Sequence, residues 1–179
     1  LYNMEVFDVE ELEVHGGSLR AFVKHKGSKR MVKYDVVKTM ISEVNSGIFS
    51  IDNWGDYANR CETHKNNLKG VVEKCVNEGG KIIIYGASGK GQSLIQMSGI
   101  TKDMIIGVVD KSEMKQGKLT PGSHIKIHPT EYIYESQASV ILLCAWNIAK
   151  EIVNQEKRFI ELGGKFLIPF PEPHFLTNN

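Results

Sequence analysis

Cysteine is scarce in this chain of 179 residues: Cys61, Cys75 and Cys144 are an odd count of three with no C-x-x-C spacing. That pattern excludes a disulfide framework and a thiolate zinc site, and leaves packing as the reading for all three. Charge of one sign is lacking as well, because 22 lysines and arginines against 21 aspartates and glutamates leave +1. No global field exists to hold nucleic acid or an anionic membrane, so any anion site is local. The longest apolar run, Val140 to Trp146, is far shorter than the roughly 18 to 20 residues that cross a bilayer, and no basic-then-apolar leader opens the chain. A soluble, cytoplasmic protein without membrane or nucleic-acid partners is expected. Catalytic constellations are missing too. His15, His25, His64, His124, His128 and His174 are scattered, no H-E-x-x-H occurs, and no G-x-S-x-G elbow appears.

What is present suits one compact domain, or one domain carrying an extra piece: 41% of residues are hydrophobic and 24% charged. Glu11–His15 and Ser18–Lys24 alternate apolar and polar residues around Gly16 and Gly17, the pattern of a β-hairpin. Val36, Val37, Met40, Ile41 and Val44 share one face of a helix that Asn45, Ser46 and Gly47 stop. From Asp52 to Asn77 the apolar residues recur every three or four positions, which predicts one long helix. Beyond residue 80 the pattern changes. Short all-apolar strands (Lys81–Tyr85, Ile105–Val109, Val140–Ala145, Lys165–Ile168) alternate with a helix from Gly91 and another from Ile148 to Leu162. Strands apolar on both faces imply a covered parallel sheet. The expected fold is therefore α/β, a Rossmann-like doubly wound parallel sheet over 81–179, preceded by a helical connector over 31–80 and a hairpin over 1–30. The chain opens at Leu1 without an initiator methionine, and a piece of a longer protein is expected.

The sharpest local signal is IIIYGASGKGQSL, a buried strand running through Tyr85, Gly86, Ala87, Ser88, Gly89, Lys90 and Gly91 into a helix. Amides at a helix start are unpaired and the helix dipole favours negative charge there, so phosphate oxygens are natural ligands. The spacing is G-x-x-G-x-G. It matches neither the dinucleotide fingerprint G-x-G-x-x-G nor the Walker pattern. Lys90 either adds a point charge for a phosphate or is simply solvated. Asp110 ends the next strand 110 − 86 = 24 residues after the first glycine, near the roughly 20 at which an acidic residue reaches a ribose hydroxyl. The alternative is that it caps its own turn. The loop from Lys115 to Ile127 is expected to lie over the same crevice and carries His124, an acid, base or donor candidate. Trp146 and Asn147 follow the Val140–Ala145 strand, with Asn147 at a capping position, and Glu172 sits in the proline-fixed IPFPEP tail. His15 and Arg20 frame the hairpin turn and either reach a substrate or decorate an exposed hairpin.

In order along the chain, HGGSLR, YGASGKGQSL, VVDKSEMKQGKLTPGSHIKI, CAWN and IPFPEP resemble the carboxy-terminal part of the S-adenosylmethionine-dependent sugar C-methyltransferases. The resemblance covers nearly the whole chain. It implies a domain that helps hold a nucleotide-linked deoxysugar, while a cysteine-rich zinc module and a methyl-donor domain make up the rest of such proteins. It also implies that Met4–His25 is the last hairpin of that methyl-donor domain. No four-cysteine module, methyl-donor glycine motif or Y-H-E-H segment occurs in this sequence. S-adenosylmethionine is then a cofactor of the longer protein, none is expected in this piece, and the piece itself is expected to bind without catalysing. The substrate-binding residues implied are Tyr85, Gly86, Ala87, Ser88, Lys90, Asp110, His124, Trp146, Asn147, Glu172, His15 and Arg20, with no catalytic or metal-ligating residue. Two other readings stand beside it: an NAD(P)-dependent oxidoreductase domain, and a non-catalytic assembly module. The unpaired edges of the hairpin also suit pairing with a second copy.

Overall fold

The computed structural model describes residues 2–14 and 17–176. By compactness the chain divides into Leu1–Asn59 and Arg60–Asn179. In the first unit β1 (Met4–Leu12) pairs antiparallel with β2 (Ser18–His25), with a register shift between Val6 and Asp8. The first strand is longer than the pattern around Glu11 predicts, because Met4, Val6 and their polar neighbours also find partners in β2. Helix α1 (Tyr34–Asn45) follows and buries none of its residues. Its start is tied to the hairpin by the Lys33 amide, which donates to the Phe7 carbonyl at 2.8 Å, and by an ion pair between Lys33 and Asp8. Gly47, at φ +74°, turns the chain out of α1. The long helix α2 (Ile51–Asn77) then forms as its periodicity predicts.

The second unit takes in the later part of α2, whose Leu68 and Val72 are fully buried. Next come β3 (Ile82–Tyr85), α3 (Gly89–Met97), β4 (Gly107–Val109), β5 (Ile127–His128), α4 (Tyr132–Glu135) and β6 (Val140–Leu143). A 3-10 turn (Trp146–Ile148), α5 (Ala149–Gln155), α6 (Lys157–Glu161), β7 (Lys165–Ile168) and β8 (His174–Phe175) complete it. The sheet runs β5-β4-β3-β6-β7-β8 and is parallel except for β8, which is antiparallel to β7. Alternation along each strand divides the core in two. Ile82, Ile84, Val108, Leu142 and Leu167 face Leu68, Val72, Leu94 and Ile95, while Ile83, Val109, Ile141, Leu143 and Phe166 face Ile133, Ile152 and Phe159. Both sheet faces are thus covered by helices, which makes the domain doubly wound and Rossmann-like. Strand order reverses between β3 and β6. In open α/β sheets ligands bind in the crevice outside the carboxyl ends of the strands at such a point.

Two expectations need correction. The predicted helix from Ile148 to Leu162 is broken at Glu156, whose backbone (φ −100°, ψ 30°) leaves the helical region. Glu156 turns into the core, where the hydroxyls of Tyr134 and Tyr85 donate to it at 2.9 and 3.4 Å. Asn147 does not cap a helix: it lies inside the 3-10 turn, and the residues at the cap positions, Ala145 and Ile148, use no side chain. Strands β5 and β8 are not foreseen by pattern, since two residues carry no readable alternation.

Candidate functional site

The three glycines after β3 differ in what they do. Gly86 adopts φ +99°, and a methyl there would lie 3.2 Å from Cβ of Ala145, so the turn closes tightly over β6. Gly91 lets α3 sit against the same strand, because its Cβ would be 2.5 Å from Cβ of Cys144. Gly89 is unlike either: a Cβ added there meets nothing within 4 Å. Packing accounts for two glycines and leaves the third facing open space at the first position of α3.

The amides of the turn are divided in the same way. Gly86 N–H donates to the Val109 carbonyl at 2.8 Å, Ala87 N–H to Asp110 Oδ2 at 2.8 Å, and Gly91 N–H to Oγ of Ser88, the N-cap of α3, at 3.1 Å. The first positions of a helix have no intrahelical acceptor for their N–H groups, which leaves the Gly89 and Lys90 amides without one at the positive end of α3. The Lys90 side chain is exposed beside them.

Asp110, the acidic residue after β4, is engaged within its own neighbourhood. Besides Ala87, the Ser112 amide donates to its Oδ1 at 2.9 Å and Lys115 Nζ to its Oδ2 at 2.9 Å. Burial pushes this carboxyl up, but the Ser112 amide, Lys115 and the Ala87 amide together outweigh it and hold the pKa below its usual value. The carboxylate cross-links the β3 turn to the β4 turn. It also anchors Lys115 beside Ala87, because both donate to the same oxygen. The importance of Lys115 is not legible from its place at the start of a glycine-bearing loop; its spacing of five residues after Asp110 is the only sign.

The loop expected to cover the crevice is instead folded on itself. Leu119 and Lys126 form an antiparallel bridge, Thr120 N–H donates to the Ile125 carbonyl at 2.8 Å, and His124 takes φ +53° at the tip. Gln96 Nε2 donates to the Pro121 carbonyl at 3.0 Å and Ser123 Oγ to Gln92 Oε1 at 3.3 Å. These contacts fix the tip along α3, one to two turns past its N-terminus, and leave His124 exposed.

Four of the remaining candidates belong to the second unit. Tyr85 is buried, its hydroxyl donating to Glu156. Burial and the Glu156 charge push the ionisation of that phenol well above its usual range. Trp146 is half-buried and packs against both halves of the core, while Asn147 and Glu172 are exposed. Arg20 belongs to the first unit, where it pairs with Glu10 at 3.1 Å. His15 lies outside the described residues. No cluster of three or more His, Cys, Asp or Glu suited to a metal occurs among the described residues. None of their helices is long and apolar enough to cross a membrane.

A family model described as the C-methyltransferase C-terminal domain matches residues 13–171, which takes in β2, both long helices and the six-stranded sheet except β8. The chain belongs to the C-methyltransferase C-terminal domain family. All of YGASGKGQSL, the Asp110 segment and CAWN fall inside the matched span. Another protein similar to this C-methyltransferase C-terminal domain is C-methyltransferase NovU of Streptomyces niveus, 33% identical over 176 residues. That alignment takes in 98% of this chain but 42% of the relative, so the chain spans less than half the length of the protein it matches. Among solved structures, UDP-D-quinovosamine 4-dehydrogenase from Vibrio fischeri is 24% identical over 49% of this chain and 75% of its own, with a TM-score of 0.37, too slight a likeness to bear on activity.

Proposed function

We propose that this domain positions the nucleotide-linked sugar substrate of an S-adenosylmethionine-dependent C-methyltransferase, with a phosphate at the Gly89 end of α3. The observation that carries the reading is Gly89. Among the described residues a Cβ at Gly89 meets nothing within 4 Å, so packing does not account for a glycine at the first position of α3, where the amides have no intrahelical acceptor and a phosphate oxygen could come close. Lys90 and Lys115 add positive charge to the same end of the sheet, in keeping with an anionic guest.

The same donors do not fit the methyl donor. Its sulfonium is a cation, and a helix N-terminus flanked by lysines opposes it. A ribose would in addition have to compete for Asp110 with Ala87, Ser112 and Lys115. No part of methyl transfer is therefore assigned to these residues. Their contribution is placement, which lowers the barrier when two reacting atoms must meet in a fixed geometry. The oxidoreductase reading is weakened by the same engaged carboxylate.

Calorimetric titration of the 179-residue chain with a thymidine diphosphate sugar, S-adenosylmethionine and NAD tests the proposal. Heat with the sugar nucleotide alone is expected, without methylation by this chain alone. Gly89→Ala should weaken that binding at least fivefold while leaving thermal stability equal or slightly raised, since alanine is the better helix former by about 1 kcal/mol. Heat only with NAD, or none with any of the three, overturns the proposal.

A further inference from the structure

One and two strands away from the glycine turn, the carboxyl ends of β6 and β7 carry an aromatic group whose site role no comparison assigns. Trp146 follows β6 and Phe170 follows β7, with ring centroids 4.7 Å apart and planes tilted by 52°. Behind Phe170 lies His64 of α2, centroids 4.4 Å apart and planes within 10° of parallel. Three elements therefore meet ring to ring on the side of the sheet where its ligands bind.

Two features show that this is more than core packing. Phe170 remains 36% exposed although His64 stacks on it and Trp146 lies against it. Phe170 is thus held between two ring neighbours with about a third of the residue still open to solvent. His64 in turn leaves Nε2 buried without a hydrogen-bond partner among the described residues. An unpaired buried nitrogen is a cost to the fold, and what the fold obtains at this position is a planar ring that sets the plane of Phe170. Trp146 is anchored from below because it packs on both core clusters.

The geometry points to a shelf on which a nucleobase stacks, with Phe170 and Trp146 as its surface and His64 as its backing. This rests on the reading of the domain as a binder of a sugar nucleotide. Strands in a sheet lie about 4.8 Å apart, so β3 and β7 are separated by about 10 Å. That separation is of the order of the reach from the diphosphate to the base of one nucleoside diphosphate. Aromatic side chains suit this task because every base has a π-face, so the shelf gives affinity for a nucleoside without fixing which base it is.

Titrating the full chain with thymidine diphosphate and, separately, with inorganic pyrophosphate isolates the contribution of the base. Phe170→Leu keeps an apolar side chain and removes the ring, and it should weaken thymidine diphosphate binding about tenfold or more, with pyrophosphate binding changed less than about twofold. Phe170→Tyr should restore the nucleotide affinity. Equal losses for both ligands in Phe170→Leu, or no restoration by tyrosine, would mean that Phe170 acts only through the fold, and the shelf is overturned. If Phe170→Leu binds both ligands normally while Lys90→Ala weakens both, the shelf fails and the phosphate reading stands. If the unaltered chain binds neither ligand, both fail.

Discussion

Asp110 holds two adjacent turns in place through three charge-assisted hydrogen bonds, from Ala87, Ser112 and Lys115. Asp110→Asn should cost about 2 kcal/mol of stability at neutral pH, the scale of losing hydrogen bonds to a shielded charge. Because the folded carboxyl titrates below its usual value, its stabilisation is full above the unfolded value of about 3.9 and disappears as pH falls through the folded one. Urea denaturation of the two proteins between pH 7 and pH 2.5 should show the gap closing only in the acid range. A gap independent of pH would mean that the charge is not what holds the turns. At Gly91 the effect is steric, since a methyl group would sit 2.5 Å from Cβ of Cys144 and 3.1 Å from Oγ of Ser88. Gly91→Ala is expected to destabilise by about 1 to 3 kcal/mol through overpacking. Gly89→Ala should do nothing of the kind, and comparing the two melting temperatures checks the division of labour among the glycines.

Helices α5 and α6 are one periodic segment in the sequence and two elements in the fold. The apolar spacing from Ile148 to Leu162 is sound, and Ile152 and Phe159 are buried as it requires. Nothing in that spacing reveals that Glu156 accepts hydrogen bonds from tyrosines on β3 and α4, which are distant in sequence. Glu156→Ala leaves both hydroxyls short of an acceptor and should cost about 2 to 3 kcal/mol, read from chemical denaturation. Burial and then the hydrogen bond to Glu156 push Tyr134 up to about 12. The sign follows from a phenol that ionises later in the folded state: its stabilisation is complete below about pH 10 and is lost as pH rises through 12. Spectrophotometric titration should find this tyrosine ionising in that upper range. In Glu156→Ala its titration should move back toward 10.

At the scale of the whole molecule, burial is unevenly shared. β3, β6 and most of β7 are closed to solvent, whereas α1 buries no residue and exposes Val37, Met40, Ile41 and Val44 on the face its periodicity assigns to a core. Native-state hydrogen exchange should therefore rank the amides of Ile83, Ile141 and Phe166 as the most protected and those of α1 among the least, because segments with few buried contacts open at small free-energy cost. Equal protection across α1 and the central strands would contradict this division.

The sequence by itself determined the elements and their class. Runs such as Lys81–Tyr85 and Val140–Ala145 are apolar at nearly every position, as strands of a sheet covered on both faces are, and the spacing over Asp52–Asn77 is that of a helix. It also marked the turn at Gly86–Gly91, since strand, glycines and helix are consecutive in the chain. The order of the strands, the engagement of Asp110 by the Ala87 amide and the meeting of His64, Trp146 and Phe170 were decided by tertiary structure alone. The reason is physical: local pattern reports what each residue prefers to be near, whereas these contacts join turns and helices whose mutual distance is set only once the sheet has ordered its strands.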